Sequence, residues 1–186
     1  LALPTAADGA VASLGRHYFK FDVAAGQTLS FEVVARRMGS PLDPIIRLLD
    51  ASGRELTYND DEQGLSADSR ISYTFETAGE YVLELRDIRY QGGPYRLRIG
   101  DFPAVSVPCP MAVRRSSEAT VTFAGPDVAD VDPITIAAPA DPLVDWINVG
   151  ARRVNGQSSS FTVLGLSHSD ELLESEPNNT AGQANR

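Results

Sequence analysis

From Phe19 to Ile99 apolar and polar positions alternate with period two almost without interruption. Phe19, Phe21 and Val23 run into the turn residues Ala24-Ala25-Gly26-Gln27. Leu29, Phe31 and Val33 follow, with Ser30 and Glu32 between them. Ile45, Ile46, Leu48 and Leu49 form a short apolar run broken by Arg47, which predicts a strand of a packed sheet rather than a helix. Asp50-Ala51-Ser52-Gly53 supplies turn chemistry, and the returning strand should present Leu56 and Tyr58 on one face and Glu55 and Thr57 on the other. Ile71, Tyr73 and Phe75 lead through Ala78-Gly79 to Tyr81, Leu83 and Leu85. Gly92-Gly93-Pro94 then precedes Tyr95, Leu97 and Ile99. Strands spaced about 8–12 residues apart, separated by turn signals and without helical periodicity, predict an all-β sandwich or jelly roll over residues 1–100.

The pattern changes after Gly100. Asp101-Phe102-Pro103 opens a stretch rich in Pro, Ala and Val. Val121 with Phe123, Ile134 with Ile136, Trp146 to Val149 and Phe161 to Leu166 are strand candidates. They predict a second, smaller β-sandwich domain over 101–170, with Trp146 as its core anchor. Residues 171–186 are polar and acidic and read as a linker to a following module.

Charge narrows the range of partners. The formal net charge is −9, spread over both halves, so nucleic acid is not an expected partner. No apolar run is long enough to span a membrane, so membrane insertion is not expected either. The single cysteine, Cys109, cannot form an intrachain disulfide.

Chemistry-bearing residues concentrate in one loop. Asn59-Asp60-Asp61-Glu62, closed by Asp68, follows the hairpin that Gly53 turns. Asn59, Asp61, Gln63 and Gly64 fill the first, third, fifth and sixth places of an EF-hand, but the twelfth place is Arg70, which excludes that motif. Two readings stand for these carboxylates. Asp43, Asp60, Asp61 and Asp68 could form a noncanonical calcium site, or they could cap turns and pair with Arg47 or Arg70. Asp127, Asp130 and Asp132 read as a solvated, turn-rich loop. Catalysis has no such concentration. His17 and His168 fall in different domains, Gly165-Leu166-Ser167-His168-Ser169 lacks the closing glycine of a nucleophile elbow, and Cys109 has no neighbouring base.

Three segments carry a family likeness. Gly39-Ser40-Pro41-Leu42-Asp43-Pro44, Asn59-Asp60-Asp61 with Asp68-Ser69-Arg70-Ile71, and Ala78-Gly79-Glu80-Tyr81 together resemble the bacterial pre-peptidase C-terminal domain over residues 8–100. Residues 101–168 more loosely resemble the immunoglobulin-like TIG domains. The first resemblance implies a β-sandwich appended to secreted peptidases and other exported bacterial proteins, some members binding calcium. The Asp-x-Asp of calcium-binding members would fall near Gly15-Arg16-His17, where no carboxylate stands. Glu174-Ser175-Glu176-Pro177-Asn178-Asn179 is similar to the acidic lead-in of such a domain, which implies Glu174, Glu176, Asn178 and Asn179 as metal ligands for a domain that follows.

The expected function is therefore a non-catalytic binding or adhesive module of a large secreted or cell-surface bacterial protein, possible partners being a protein or polysaccharide ligand and neighbouring modules. The expected location is extracellular, periplasmic or cell-surface. The alternatives are a structural spacer in a tandem array, or part of a secreted hydrolase or peptidase whose catalytic domain lies elsewhere.

Overall fold

Fourteen strands form among the described residues, and every pairing between them is antiparallel except one short parallel pair in the second half. The computed structural model describes residues 1–154 and 157–184. In the first half the strands are β1 (Thr5–Val11), β2 (Arg16–Val23), β3 (Thr28–Val34), β4 (Pro44–Asp50), β5 (Glu55–Asn59), β6 (Arg70–Thr74), β7 (Gly79–Asp87) and β8 (Gly93–Gly100). They form two four-stranded sheets, ordered β1-β8-β3-β6 and β2-β7-β4-β5. Inward residues of both sheets share one core, centred on Phe21, Phe31, Phe75, Leu48, Leu83 and Leu97. The all-β expectation holds, and each strand expected between Phe19 and Ile99 is present.

Two details of this half differ from the alternation. Tyr58 is 57% exposed, while Leu56 and Thr57 are both half-buried. A register shift between Leu48 and Leu49 places Thr57 opposite core-facing Leu48 and Tyr58 opposite Arg47, so a bulge reverses the expected face. Strand β3 is buried on both faces, Ser30 and Glu32 included, because the second half covers its outer side.

The second half contains β9 (Val107–Cys109), β10 (Ala112–Arg114), β11 (Glu118–Ala124), β12 (Ile134–Ala137), β13 (Trp146–Val149) and β14 (Thr162–Ser167). They form two three-stranded sheets, β10-β14-β13 and β12-β11-β9, around a small core of Val113, Val121, Ala138, Val149, Leu164 and Leu166. Trp146 is not that core's anchor. It is 56% exposed, because Ile147 and Val149 take the inward positions of β13 and alternation turns Trp146 outward. Residues 168–184 contain one short 3-10 turn, Ala181–Gln183, and no strand. No helix among the described residues is long and apolar enough to cross a membrane.

Candidate functional site: an ionic seam and its cleft

The acidic loop folds inward at its C-terminal end and outward at its tip. Leu65 is fully buried and anchors the loop, and the Glu62 N–H donates to the Asp68 carbonyl at 3.0 Å. Asp68 is itself fully buried. Its Oδ1 accepts from the Ala35 and Arg36 N–H groups at 2.9 and 2.7 Å, and its Oδ2 from Arg37 Nε at 2.7 Å. The carboxylate thus caps the 3-10 turn Arg36–Met38, satisfying donors that a helix start leaves free. Asp43 is also buried, and its Oδ2 lies 2.7 Å from Arg89 Nε. At the tip, Asp61 is exposed and its N–H donates to Asp60 Oδ1 at 3.1 Å.

Of the four aspartates singled out for calcium, Asp43 and Asp68 are each paired with an arginine while Asp60 and Asp61 sit together at the tip, and no group of three or more His, Cys, Asp or Glu side chains among the described residues is arranged to hold a metal ion. The arginines involved also differ from those expected. Arg47 pairs with Glu55 and Glu84, whereas Arg37 and Arg89 take the buried aspartates; Arg70 reaches Glu62 at 3.0 Å. Asp130 pairs with Arg153, and Asp127 Oδ2 accepts from Ser72 Oγ at 2.7 Å. In the exposed tail, Glu174 accepts from the Asn178 amide at 2.8 Å, and Glu176 accepts from Asn178 N–H and the Asn179 amide at 2.9 and 3.2 Å. The lead-in residues bond one another.

The seam between the halves is more elaborate than the loop. Glu32 is fully buried on the outer face of β3. Its Oε1 accepts from Arg37 Nη2 at 2.7 Å and from Ser160 Oγ at 2.5 Å. Arg37 spans the junction: besides Glu32 and Asp68 it donates to the Phe161 carbonyl at 2.9 Å and lies 5.2 Å from the Phe161 ring centroid. Arg98 donates to the Ser158 carbonyl at 2.7 Å and stacks 4.1 Å over Phe102. Burial lowers the Arg98 pKa, and nearby Glu32 partly restores it. Arg70 donates to the Val105 carbonyl at 2.8 Å and Ser106 Oγ at 2.5 Å. Gly64 closes the contact; at φ +84 it lets the loop approach so near that a Cβ there would sit 2.8 Å from the Ser106 carbonyl oxygen. Phe102, Ala104 and Val105 are buried, so the junction expected near Gly100 is packed chain.

Beside the seam, the part of the first sheet left uncovered floors a cleft of about 910 Å3. Val34, Met38, Pro41, Pro94 and Phe161 give it apolar walls, and the exposed Asp8–Arg96 pair, at 2.7 Å, is part of its lining. Its other polar groups are largely committed: Tyr95 Oη meets His17 Nδ1 at 2.7 Å, and Ser40 Oγ donates to the Pro94 carbonyl at 2.7 Å. His17 is therefore held by a phenol, and the tail residue His168 is exposed. Cys109 is exposed on β9.

Sequence reasoning missed Glu32, Arg37, Arg98 and Arg153. A glutamate in an alternating strand reads as solvent-facing, and the only local signal was the Arg36-Arg37 pair beside a left-handed Gly39.

No family model matches this chain. Over 69 residues it is 41% identical to a probable subtilase-type serine protease of Deinococcus radiodurans, a stretch that is 37% of this chain and 9% of that protein. Solved structures with a similar course of chain include the pre-peptidase C-terminal domain of a Bacillus anthracis collagenase, 17% identical with a TM-score of 0.43, covering 52% of this chain and 89% of that one. Another is the Aeromonas hydrophila periplasmic inhibitor of g-type lysozyme, at 12% identity and TM-score 0.42, covering 52% and 83%. The Yersinia pseudotuberculosis-derived mitogen has 16% identity and a TM-score of 0.40, covering 53% and 86%.

Proposed function

We propose that this chain is a non-catalytic accessory part of a secreted, subtilase-type protease and works outside the cell. The observation that carries the reading is the 41% identity over 69 residues with such a protease, of which this chain spans a small fraction. The pre-peptidase C-terminal likeness of residues 8–100 supports it, and the residues carrying that likeness have structural employment. Asp43 and Asp68 hold Arg89 and Arg37, Ser40 ties β8, and Tyr81 Oη donates to the Thr77 carbonyl at 2.9 Å. Such residues build a scaffold; His17 meets Tyr95 Oη, and no hydrogen bond joins either histidine to a serine or cysteine among the described residues.

The test removes this segment from the parent protease. Cleavage of a small chromogenic peptide should keep its kcat/KM, while turnover of a large protein substrate or the yield of secreted enzyme falls. Loss of small-peptide cleavage with the remaining fold intact would place catalytic residues here. Calcium enters only through Asp60 and Asp61, whose carboxylates no arginine or lysine pairs with among the described residues. A melting midpoint higher in millimolar CaCl2 than in EDTA, and lost in Asp61→Asn, would support a surface site; an unchanged midpoint removes it.

A further inference from the structure

The second half leaves its one tryptophan outside a core that has no fully buried aromatic. Strand register places that residue in an ordered setting. Trp146 faces Gly165 on β14, and Gly165 faces Ala112 on β10, so one row across the sheet reads tryptophan, glycine, alanine. Asn148 and Val163 form the next row on one side, and Arg114 with Ser167 the next on the other. Leu164, Leu166, Val113 and Val149 point into the core, so these outer rows face solvent.

The row carries nothing larger than a methyl beside the indole, so Trp146 is its one large side chain. A Cβ added to Gly165 would lie 3.2 Å from the Ala112 Cβ, so glycine and alanine pack closely into a low floor next to the tryptophan. Planar hydrogen-bonding groups flank it. Arg114 Nη1 donates to Asp170 Oδ1 at 3.0 Å, while the Asn148 amide and the Trp146 indole N–H have no partner among the described residues. Three strands span roughly 10 Å, and four residues along them roughly 13 Å. That area is far below the ~800 Å2 per partner of a stable protein interface. It matches one or two sugar rings.

We propose that the open face of β10-β14-β13 binds a neutral polysaccharide, one pyranose ring stacking on Trp146. The ring's axial C–H groups carry slight positive charge and suit the negative face of the indole. Vicinal hydroxyls suit the amide of Asn148 and the Arg114–Asp170 pair, each of which offers two hydrogen-bonding atoms in a plane. Neither this site nor its ligand depends on the chain's place in a protease.

Because Trp146 is the only tryptophan, its fluorescence reports this face alone. The full chain is titrated with hydroxyethylcellulose, soluble starch and glycol chitin, and run through native gels containing each. At least one should give a saturable emission change and retard the protein. Trp146→Leu, which keeps an apolar side chain without a π face, should weaken retardation about tenfold, Trp146→Phe less, and Asn148→Ala about threefold. Unchanged circular dichroism confirms that each variant folds. The proposal is overturned if none of the three polysaccharides shifts emission, or if Trp146→Leu binds like wild type. It is equally overturned if emission follows protein concentration and sedimentation shows a dimer that Trp146→Leu abolishes, which would assign the face to self-association.

Discussion

The two halves of this chain are held together by different means. The first encloses eighteen buried apolar residues between two four-stranded sheets; five are Phe or Tyr, and four of these, Phe21, Phe31, Phe75 and Tyr81, pack edge to face or stacked on one another. The second encloses six, of which none is larger than leucine. A core that small contributes little against chain entropy, and domains of such size usually need further support. Here the first half provides it through Arg37, Arg70 and Arg98, which reach across to backbone carbonyls and serines of residues 105–106 and 158–161. Within the second half, Arg153 holds Asp101, the residue that follows β8, at 2.5 Å and Asp130 at 3.0 Å. Burial works against its charge, yet those two carboxylates leave its pKa raised. The difference teaches that a packed sheet pair can carry a weakly cored neighbour, provided its outer face is built to accept one.

The comparison breaks most severely at Arg37. Arg37→Ala takes the ion-pair partner from Glu32 and Asp68, both fully buried, and should cost about 3–5 kcal/mol in urea unfolding. Arg37→Lys should recover only part, since an ammonium cannot serve two carboxylates and a carbonyl in one plane. The same truncation in each core sharpens the contrast. Leu48→Ala and Leu164→Ala both remove a fully buried leucine, with costs expected within about 2–5 kcal/mol. Leu48 should lie at the upper end, in a core fixed by aromatic contacts, and Leu164 at the lower, where three-residue strands can close on the gap. Gly64→Ala should cost about 1–3 kcal/mol through its positive φ and the Ser106 oxygen, and should lower the second half's hydrogen-exchange protection more than the first's.

The smallest effect belongs to the β4–β5 turn. Ser52 Oγ donating to Asp50, opposed by partial desolvation and supported by Arg54 and the Ser52 N–H, lowers the Asp50 pKa from 3.8 to about 2. A lowered carboxylate pKa stabilises the fold at pH above the unfolded value and loses that contribution as pH falls from 3.8 through 2. Carboxyl chemical shifts should therefore titrate near pH 2 for Asp50, and in Ser52→Ala move back toward 3.8.

Much of the first half was legible because its strands bury one face each, so alternation carries the fold from Phe19 to Ile99. Strand β1 was not. Its sequence Thr-Ala-Ala-Asp-Gly-Ala-Val lacks large residues, since Gly9 lies under the Tyr95 ring, where a Cβ would approach the phenol oxygen to 2.8 Å. Strands β9 and β10 have three residues each, too few for a period, and β9 contains Pro108. Trp146 stands outside the core despite its size, because the phase of Ile147 and Val149 turns it outward. The seam was illegible for a plainer reason. Glu32 acquires its partner Ser160 from 128 residues away, and nothing within one strand shows that its polar face will be covered.

The claim that the seam makes one folding unit of both halves is tested most directly by scanning calorimetry of the full chain, wild type beside Arg37→Ala. The wild type should show one transition whose calorimetric and van't Hoff enthalpies agree. In Arg37→Ala the second half should melt earlier and separately. Two resolved wild-type transitions, neither moved by the substitution, would contradict that claim.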